Sequence, residues 1–125
     1  MKHHSPQFLK LVNQAKERIQ EISAEQLKNM IDKQDDFYLI DVREDHEWAT
    51  GHIPTAIHIG KGIIERDIEK TIPDFDASLV VYCSGGFRCA LVADCLQQMG
   101  YHRVYSLDKG SQGWTDAGYT LSEFK

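Results

Sequence analysis

The sequence predicts an α/β fold: a parallel sheet covered by helices on both faces, with a helical extension at the N-terminus. Three observations predict it. Short apolar runs such as Leu79-Val80-Val81-Tyr82 end abruptly and read as strands buried on both sides. Stretches of helical apolar spacing, such as Val92, Cys95, Leu96 and Met99, lie between them. Strand and helix then alternate along the chain, the pattern of parallel sheets with helical crossovers. The 125 residues suit one domain with one core.

The elements follow in order. Phe8, Leu11, Val12, Ala15, Ile19 and Ile22 recur at helical spacing, and Pro6 suits a first helical turn. This predicts a helix running to Ile22, with Lys10, Lys16, Glu17 and Arg18 in solvent. Residues 1–22 are read as a structural extension and residues 23–125 as the domain proper; a helix that binds a partner or dimerises is the alternative. Ser23 and Gln26 form a capping box opening a helix through Met30 and Ile31. Phe37 to Ile40, ending at Asp41, reads as a strand. Glu44 to Thr50 is a short helix stopped by Gly51. Ile53-Pro54 turns into a strand over Ala56 to Ile59, and Ile63 to Lys70 is a charged helix. After Pro73 comes the strand Leu79 to Tyr82. The following helix runs to Met99 and stops at Gly100, and Arg103 to Leu107 is the next strand. Trp114 and Ala117 lie on a last short helix ended by Gly118.

Composition narrows the function classes. Fourteen Lys and Arg against nineteen Asp and Glu give a net charge of −5, a poor match to nucleic acid. No apolar run approaches the roughly 18 residues of a membrane span. Met1-Lys2-His3-His4 leads into a polar helical pattern without the apolar stretch of a signal peptide. Three cysteines, Cys83, Cys89 and Cys95, are an odd number and lack Cys-x-x-Cys spacing. At least one thiol stays free, which fits a reducing compartment and a cytoplasmic location. The histidines lack metal-ligand spacing, so no metal is implied, and His3-His4 reads as a solvated pair.

Chemistry concentrates in Cys83-Ser84-Gly85-Gly86-Phe87-Arg88. A thiol ends the apolar strand, and a tight glycine loop leads into a helix. Amide N–H groups and the positive end of the helix dipole suit such a loop to an anion. The same field favours the thiolate, the reactive form. Ligands of open α/β sheets bind beyond the strand carboxyl ends, where Cys83 falls. A buried core cysteine is the structural alternative, but a core thiol has no use for Gly-Gly-x-Arg. Cys95, on an apolar helix face, is read as packed.

Four segments together resemble the rhodanese (sulfurtransferase) family over nearly the whole chain beyond Ile22. They are Leu39-Ile40-Asp41-Val42-Arg43; Glu47 to Pro54, a Glu-x-x-x-Gly-His-Ile-Pro segment; the loop from Cys83 to Arg88; and Gly100 to Leu107 with Gly110 and Trp114. The resemblance implies a sheet of about five parallel strands and a persulfide carried on Cys83, with Arg88 closing the cradle. It implies no cofactor. The family also holds non-catalytic modules, which supply the alternative of a binding or regulatory role. Some positions depart from the family pattern. Cys89 stands where serine is common, Thr55 where glycine is, and His58 where asparagine is; Lys109 replaces the first of two usual glycines.

Sulfur transfer requires a thiolate, a seat for an anionic donor and protection of the persulfide. The amides of Ser84, Gly85, Gly86, Phe87 and Arg88, with the Arg88 guanidinium, are the expected seat. Lowering the Cys83 pKa by about two units takes on the order of 3 kcal/mol, the scale of a helix terminus plus one guanidinium. The expected cycle is ping-pong. Thiosulfate or another small anionic donor loads Cys83, and cyanide, a thiol or a sulfur-relay protein unloads it. Phosphotyrosine phosphatases use a longer loop. Four residues between Cys83 and Arg88 suit a sulfur-centred anion better than a phosphorus-centred one, leaving phosphatase or arsenate reductase chemistry as a lesser alternative. Cys89 is read as a small residue behind the loop, with a resolving thiol as the alternative. Asp41, Arg43, Glu47 and His52 are read as structural braces. Phe87 and Trp114 are candidates for the pocket mouth.

Overall fold

A computed structural model describes residues 4–122. The elements are α1 (Pro6–Lys16), β1 (Gln20–Ile22), α2 (Ala24–Asp32), β2 (Tyr38–Asp41), α3 (Asp45–Trp48), β3 (Ile57–His58), α4 (Ile64–Thr71), β4 (Ser78–Tyr82), α5 (Arg88–Gln98), β5 (Arg103–Leu107) and α6 (Gly110–Asp116). The strands form one five-stranded sheet in the order β1-β5-β4-β2-β3. Every pairing is parallel. Among the described residues no helix is long and apolar enough to cross a membrane.

The first correction to the sequence reading is at the N-terminus. The helix stops at Lys16, and Gln20–Ile22 form an edge strand on β5, with Gln20 opposite Tyr105 and Ile22 opposite Leu107. Ile19 and Ile22 are three apart, a spacing that fits one face of a helix. In extended chain an odd spacing sends side chains to opposite faces. Accordingly Ile19 packs into the core on one side of the sheet and Ile22 into the core on the other. Pairing with β5 overrides the local periodicity. Lys10, Glu17 and Arg18 are exposed as expected, while Lys16 is half-buried. Arg18 pairs twice with the buried Asp94 of α5, at 2.9 and 2.7 Å, and Lys16 pairs with Glu21 at 3.5 Å.

Period-two alternation in β4 sets the direction of Cys83, which follows it. Leu79, Val81 and Cys83 join the core built with Ile64 and Ile68 of α4, Ile72 just after it, and Val92 and Leu96 of α5. Val80 and Tyr82 point the other way, toward Leu27 of α2 and Trp114 of α6. Trp114 is 2 % exposed, and its indole N–H donates to the Thr120 carbonyl at 2.9 Å. It is a core residue of that second face, which removes it from the pocket mouth.

A buried ionic network ties the central strands together. The Arg43 Nε donates to both carboxylate oxygens of Asp41 at 3.0 Å, and its Nη2 donates at 2.7 Å both to Asp41 Oδ2 and to the Gly51 carbonyl. The Tyr82 hydroxyl donates to Asp41 Oδ2 at 2.8 Å and accepts the Ile53 N–H at 3.0 Å. Asp41 and Arg43 are therefore braces, as the sequence reading has them. A neutral Tyr82 suits this role, since burial raises its pKa. The capping box at Ser23 and Gln26 also forms, with bonds of 3.1 and 2.8 Å.

Two departures from family glycine, Thr55 and Lys109, both adopt left-handed backbone, with φ of 75° and 64°. Thr55 follows Pro54 in a turn closed by the Ala56 N–H on the Ile53 carbonyl at 3.1 Å. That position favours glycine, and a β-branched residue there is strained. Thr55→Gly is expected to raise stability by about 1 kcal/mol, measured as a higher denaturant midpoint with an unchanged slope.

Candidate active site

The site is the loop between β4 and α5, and backbone contacts hold it. The Ser111 and Gln112 amides at the start of α6 donate to the carbonyls of Cys83 and Ser84 at 2.8 and 2.9 Å. Only glycine permits this approach. A Cβ on Gly110 would lie 2.3 Å from the Cys83 carbonyl oxygen, and one on Gly86 would lie 2.8 Å from the Lys109 nitrogen. With both carbonyls engaged by α6, the loop turns amides toward the sulfur. The Gly86 N–H reaches Cys83 Sγ at 3.2 Å and the Cys89 N–H reaches it at 3.4 Å.

Cys83 is 1 % exposed and Cys89 fully buried, and their sulfurs lie 3.5 Å apart. The Cys83 pKa is lowered to about 5. The largest cause is the hydrogen bond from the Cys89 thiol; the Cys89 and Gly86 amides and the Arg88 charge follow, against the opposing effect of burial. Cys89 moves the opposite way, well above its ordinary value, through burial and then its bond to Cys83 and the charge there.

Arg88 is committed differently from expectation. Its Nη1 and Nη2 donate to the two carboxylate oxygens of Glu47 at 2.8 and 3.1 Å, and Nη2 also donates to Ser84 Oγ at 3.0 Å. The Arg88 guanidinium holds Glu47 down at about 2, while Glu47 raises Arg88. The Arg88 charge still acts on Cys83, lowering its pKa, and the sulfur in turn raises Arg88. Hydrogen bonds nevertheless outrank the Arg88 charge in lowering the Cys83 pKa. Glu47 Oε1 also accepts the Glu44 N–H at 3.0 Å, so one carboxylate both caps α3 and braces the loop. His52 lies outside this contact; it stacks on Trp48 at 3.8 Å, and His58 lies against the same ring system at 5.0 Å.

The remaining loop residues fall as follows. Gly85 is exposed, Ser84 is half-buried, and Phe87 is half-buried beneath the N-terminal segment. His4 lies 4.4 Å and Phe8 6.4 Å from the Phe87 ring, ring centre to ring centre, and Lys16 Nζ sits 5.6 Å from it. His4 is thus packed, correcting its reading as solvated; His3 lies outside the described residues. Cys95 is only half-buried, also short of expectation, and its pKa is raised by burial and by the nearby Glu65. The sequence reading misses Ser106, which is fully buried and donates to Cys89 Sγ at 3.1 Å. Its one signal is a hydroxyl inside the apolar strand Val104-Tyr105-Ser106-Leu107.

The Rhodanese-like domain family matches residues 23–117, the stretch that carries this loop and its supports. The chain belongs to the rhodanese-like domain family. A protein of Bacillus subtilis (strain 168) named "Putative sulfurtransferase YtwF" is 40% identical over 96 residues, covering 77% of this chain and 90% of that protein. A rhodanese-like fold with the same extent is found in a protein of unknown function from Rhodopseudomonas palustris CGA009, described as a possible tyrosine phosphatase. The two share a TM-score of 0.86 at 24% identity, over 98% of this chain and 99% of that one. Thiosulfate sulfurtransferase from Pseudomonas aeruginosa aligns with a TM-score of 0.77 at 28% identity, over 84% of this chain but 20% of that one.

Two expectations follow from the rhodanese-like loop. The difference in ultraviolet thiolate absorbance between the parent and Cys83→Ser is expected to titrate with a midpoint near 5. A midpoint at the ordinary thiol value contradicts the hydrogen-bond geometry. Glu47 has a depressed folded-state pKa, so its contribution is complete above its ordinary 4.5 and fades as pH falls through about 2. Glu47→Gln is expected to lower the melting temperature at neutral pH, and the gap from the parent is expected to close across that acid window.

Proposed function

We propose that the chain is a sulfurtransferase that carries sulfane sulfur as a persulfide on Cys83. The observation that carries this reading is the convergence of two amides and a thiol on the one sulfur of Cys83. The name of the Bacillus relative and the activity of the Pseudomonas enzyme agree with it. In the loading step the Cys83 thiolate attacks the outer sulfur of thiosulfate or a similar anionic donor. A sulfur–sulfur bond forms, the donor's own sulfur–sulfur bond breaks, and sulfite leaves with the electron pair. In the unloading step cyanide carbon or an acceptor thiolate attacks the outer sulfur, and Cys83 leaves as thiolate.

The amides of residues 84 to 88 and the Arg88 guanidinium would match the donor's oxyanion. Cys83 is 1 % exposed, so the loop must open to admit the donor. That burial is also the one observation favouring a binding or regulatory module that passes no sulfur. A sulfur-relay protein is a fitting acceptor, since the persulfide would be shielded between transfers. The free thiols fit a cytoplasmic setting.

Intact mass after thiosulfate treatment tests the proposal. The expected result is a gain of one sulfur that cyanide removes and that Cys83→Ser never acquires. No gain at any thiosulfate or persulfide-donor concentration, with a folded protein, supports the module instead.

A further inference from the structure

Behind Cys83 the structure holds a short line of polar atoms that the loop alone does not require. Ser106 on β5 donates its hydroxyl to Cys89 Sγ at 3.1 Å, and Cys89 Sγ lies 3.5 Å from Cys83 Sγ. Both Ser106 and Cys89 are fully buried. Ser106 sits on a strand and Cys89 in the first turn of α5, so each is fixed by regular structure.

The position of the shared proton follows from what surrounds each sulfur. Cys83 receives two amide N–H groups and lies near the Arg88 guanidinium, with Glu47 behind it. Cys89 faces Ser106, the Leu107 carbonyl at 3.9 Å and Cys83. Two adjacent thiolates would repel, and an anion on Cys89 would lack compensating charge in a dry site. The single proton therefore belongs to Cys89. Its two acceptors are a neutral carbonyl at 3.9 Å and an anionic sulfur at 3.5 Å. The nearer, charged acceptor wins. Ser106 occupies a Cys89 lone pair and turns the S–H toward Cys83.

We propose that Ser106, Cys89 and Cys83 form a buried donor line in which the Cys89 thiol stays protonated and hydrogen-bonds the Cys83 sulfur, making Cys89 a catalytic donor to the departing thiolate. Cys89 touches the reacting atom, and Ser106 is a positioning residue acting through it. The effect falls on the unloading step of the proposed cycle. There Cys83 is the leaving group, and a thiol of lower pKa leaves faster. No electron leaves Cys89, and it forms no bond to sulfur during turnover. This differs from a resolving role, in which Cys89 would displace hydrosulfide from the persulfide and form a Cys83–Cys89 disulfide.

The test compares Cys89→Ala, Cys89→Ser and Ser106→Ala. The first readout is the Cys83 thiolate midpoint, which needs no sulfur chemistry and so stands even if the chain proves to pass no sulfur. Cys89→Ala is expected to raise that midpoint by about one unit or more, because it deletes the hydrogen bond that contributes most. Cys89→Ser keeps a donor and is expected to restore the low midpoint; Ser106→Ala is expected to give a smaller rise. The second readout is unloading of pre-formed persulfide by cyanide. Slowing of about threefold per unit of midpoint rise is expected in Cys89→Ala, with recovery in Cys89→Ser. An unchanged midpoint in folded Cys89→Ala overturns the inference, as does a raised midpoint in Cys89→Ser. Should Cys89→Ala not fold, Ser106→Ala decides: no rise there overturns it. If persulfidated parent protein releases hydrosulfide and ends two hydrogens lighter than the unmodified reduced protein, while Cys89→Ser keeps its persulfide, the resolving role replaces the donor line.

Discussion

A sulfur anion in a nearly dry site has to be matched by donors a few ångströms away, because water is not there to do it. Cys83 is such a group, and the architecture around it follows from that constraint. Two amides and one thiol converge on its sulfur. The amides can do so only because the Cys83 and Ser84 carbonyls are turned away and held by the start of α6. That arrangement in turn needs glycine at 86 and 110, where a single added carbon would collide with backbone. The loop is shaped by its contact with the start of α6 as much as by its own sequence.

Charge is handled in pairs throughout the molecule. Arg43 with Asp41 and Arg88 with Glu47 are buried or half-buried, and each guanidinium reaches a further oxygen beyond its carboxylate. Removing one member of such a pair strands the other, which makes these contacts constraints on the strand ends more than sources of net stability. The Arg88–Glu47 pair also links the sulfur loop to α3. The Cys83 sulfur takes its largest stabilisation from short-range donors, and the Arg88 charge adds to them. A buried hydroxyl and a buried thiol behind the loop fit the same economy of nearby dipoles.

Strand positions were legible where the apolar runs are uninterrupted. Leu79 to Tyr82 could hardly form anything but an inner strand, and observed β4 spans Ser78–Tyr82. The candidate loop stood out because its residue types have no structural excuse in that order. Gln20–Ile22 was hidden because Ile19 and Ile22 satisfy helical spacing and strand pairing alike, and only β5 beside them decides. Glu47 illustrates a different limit. Its place in a short helix could be read, but its partner Arg88 is 41 residues away. Ser106 was invisible because a hydroxyl in a strand has no meaning until the sulfur across from it is known.

The chain's sequence by itself determined the alternation of strands and helices, the thiol at a strand end and the glycine loop that follows. Those are local properties, written in periodicity and in the conformations that glycine alone adopts freely. The tertiary structure decided which groups face Cys83, how Arg88 is spent, that Trp114 supports the opposite core, and that α1 packs over Phe87. These depend on side chains distant in sequence meeting across a packed sheet, where register and face are set by the whole fold and not by any one segment.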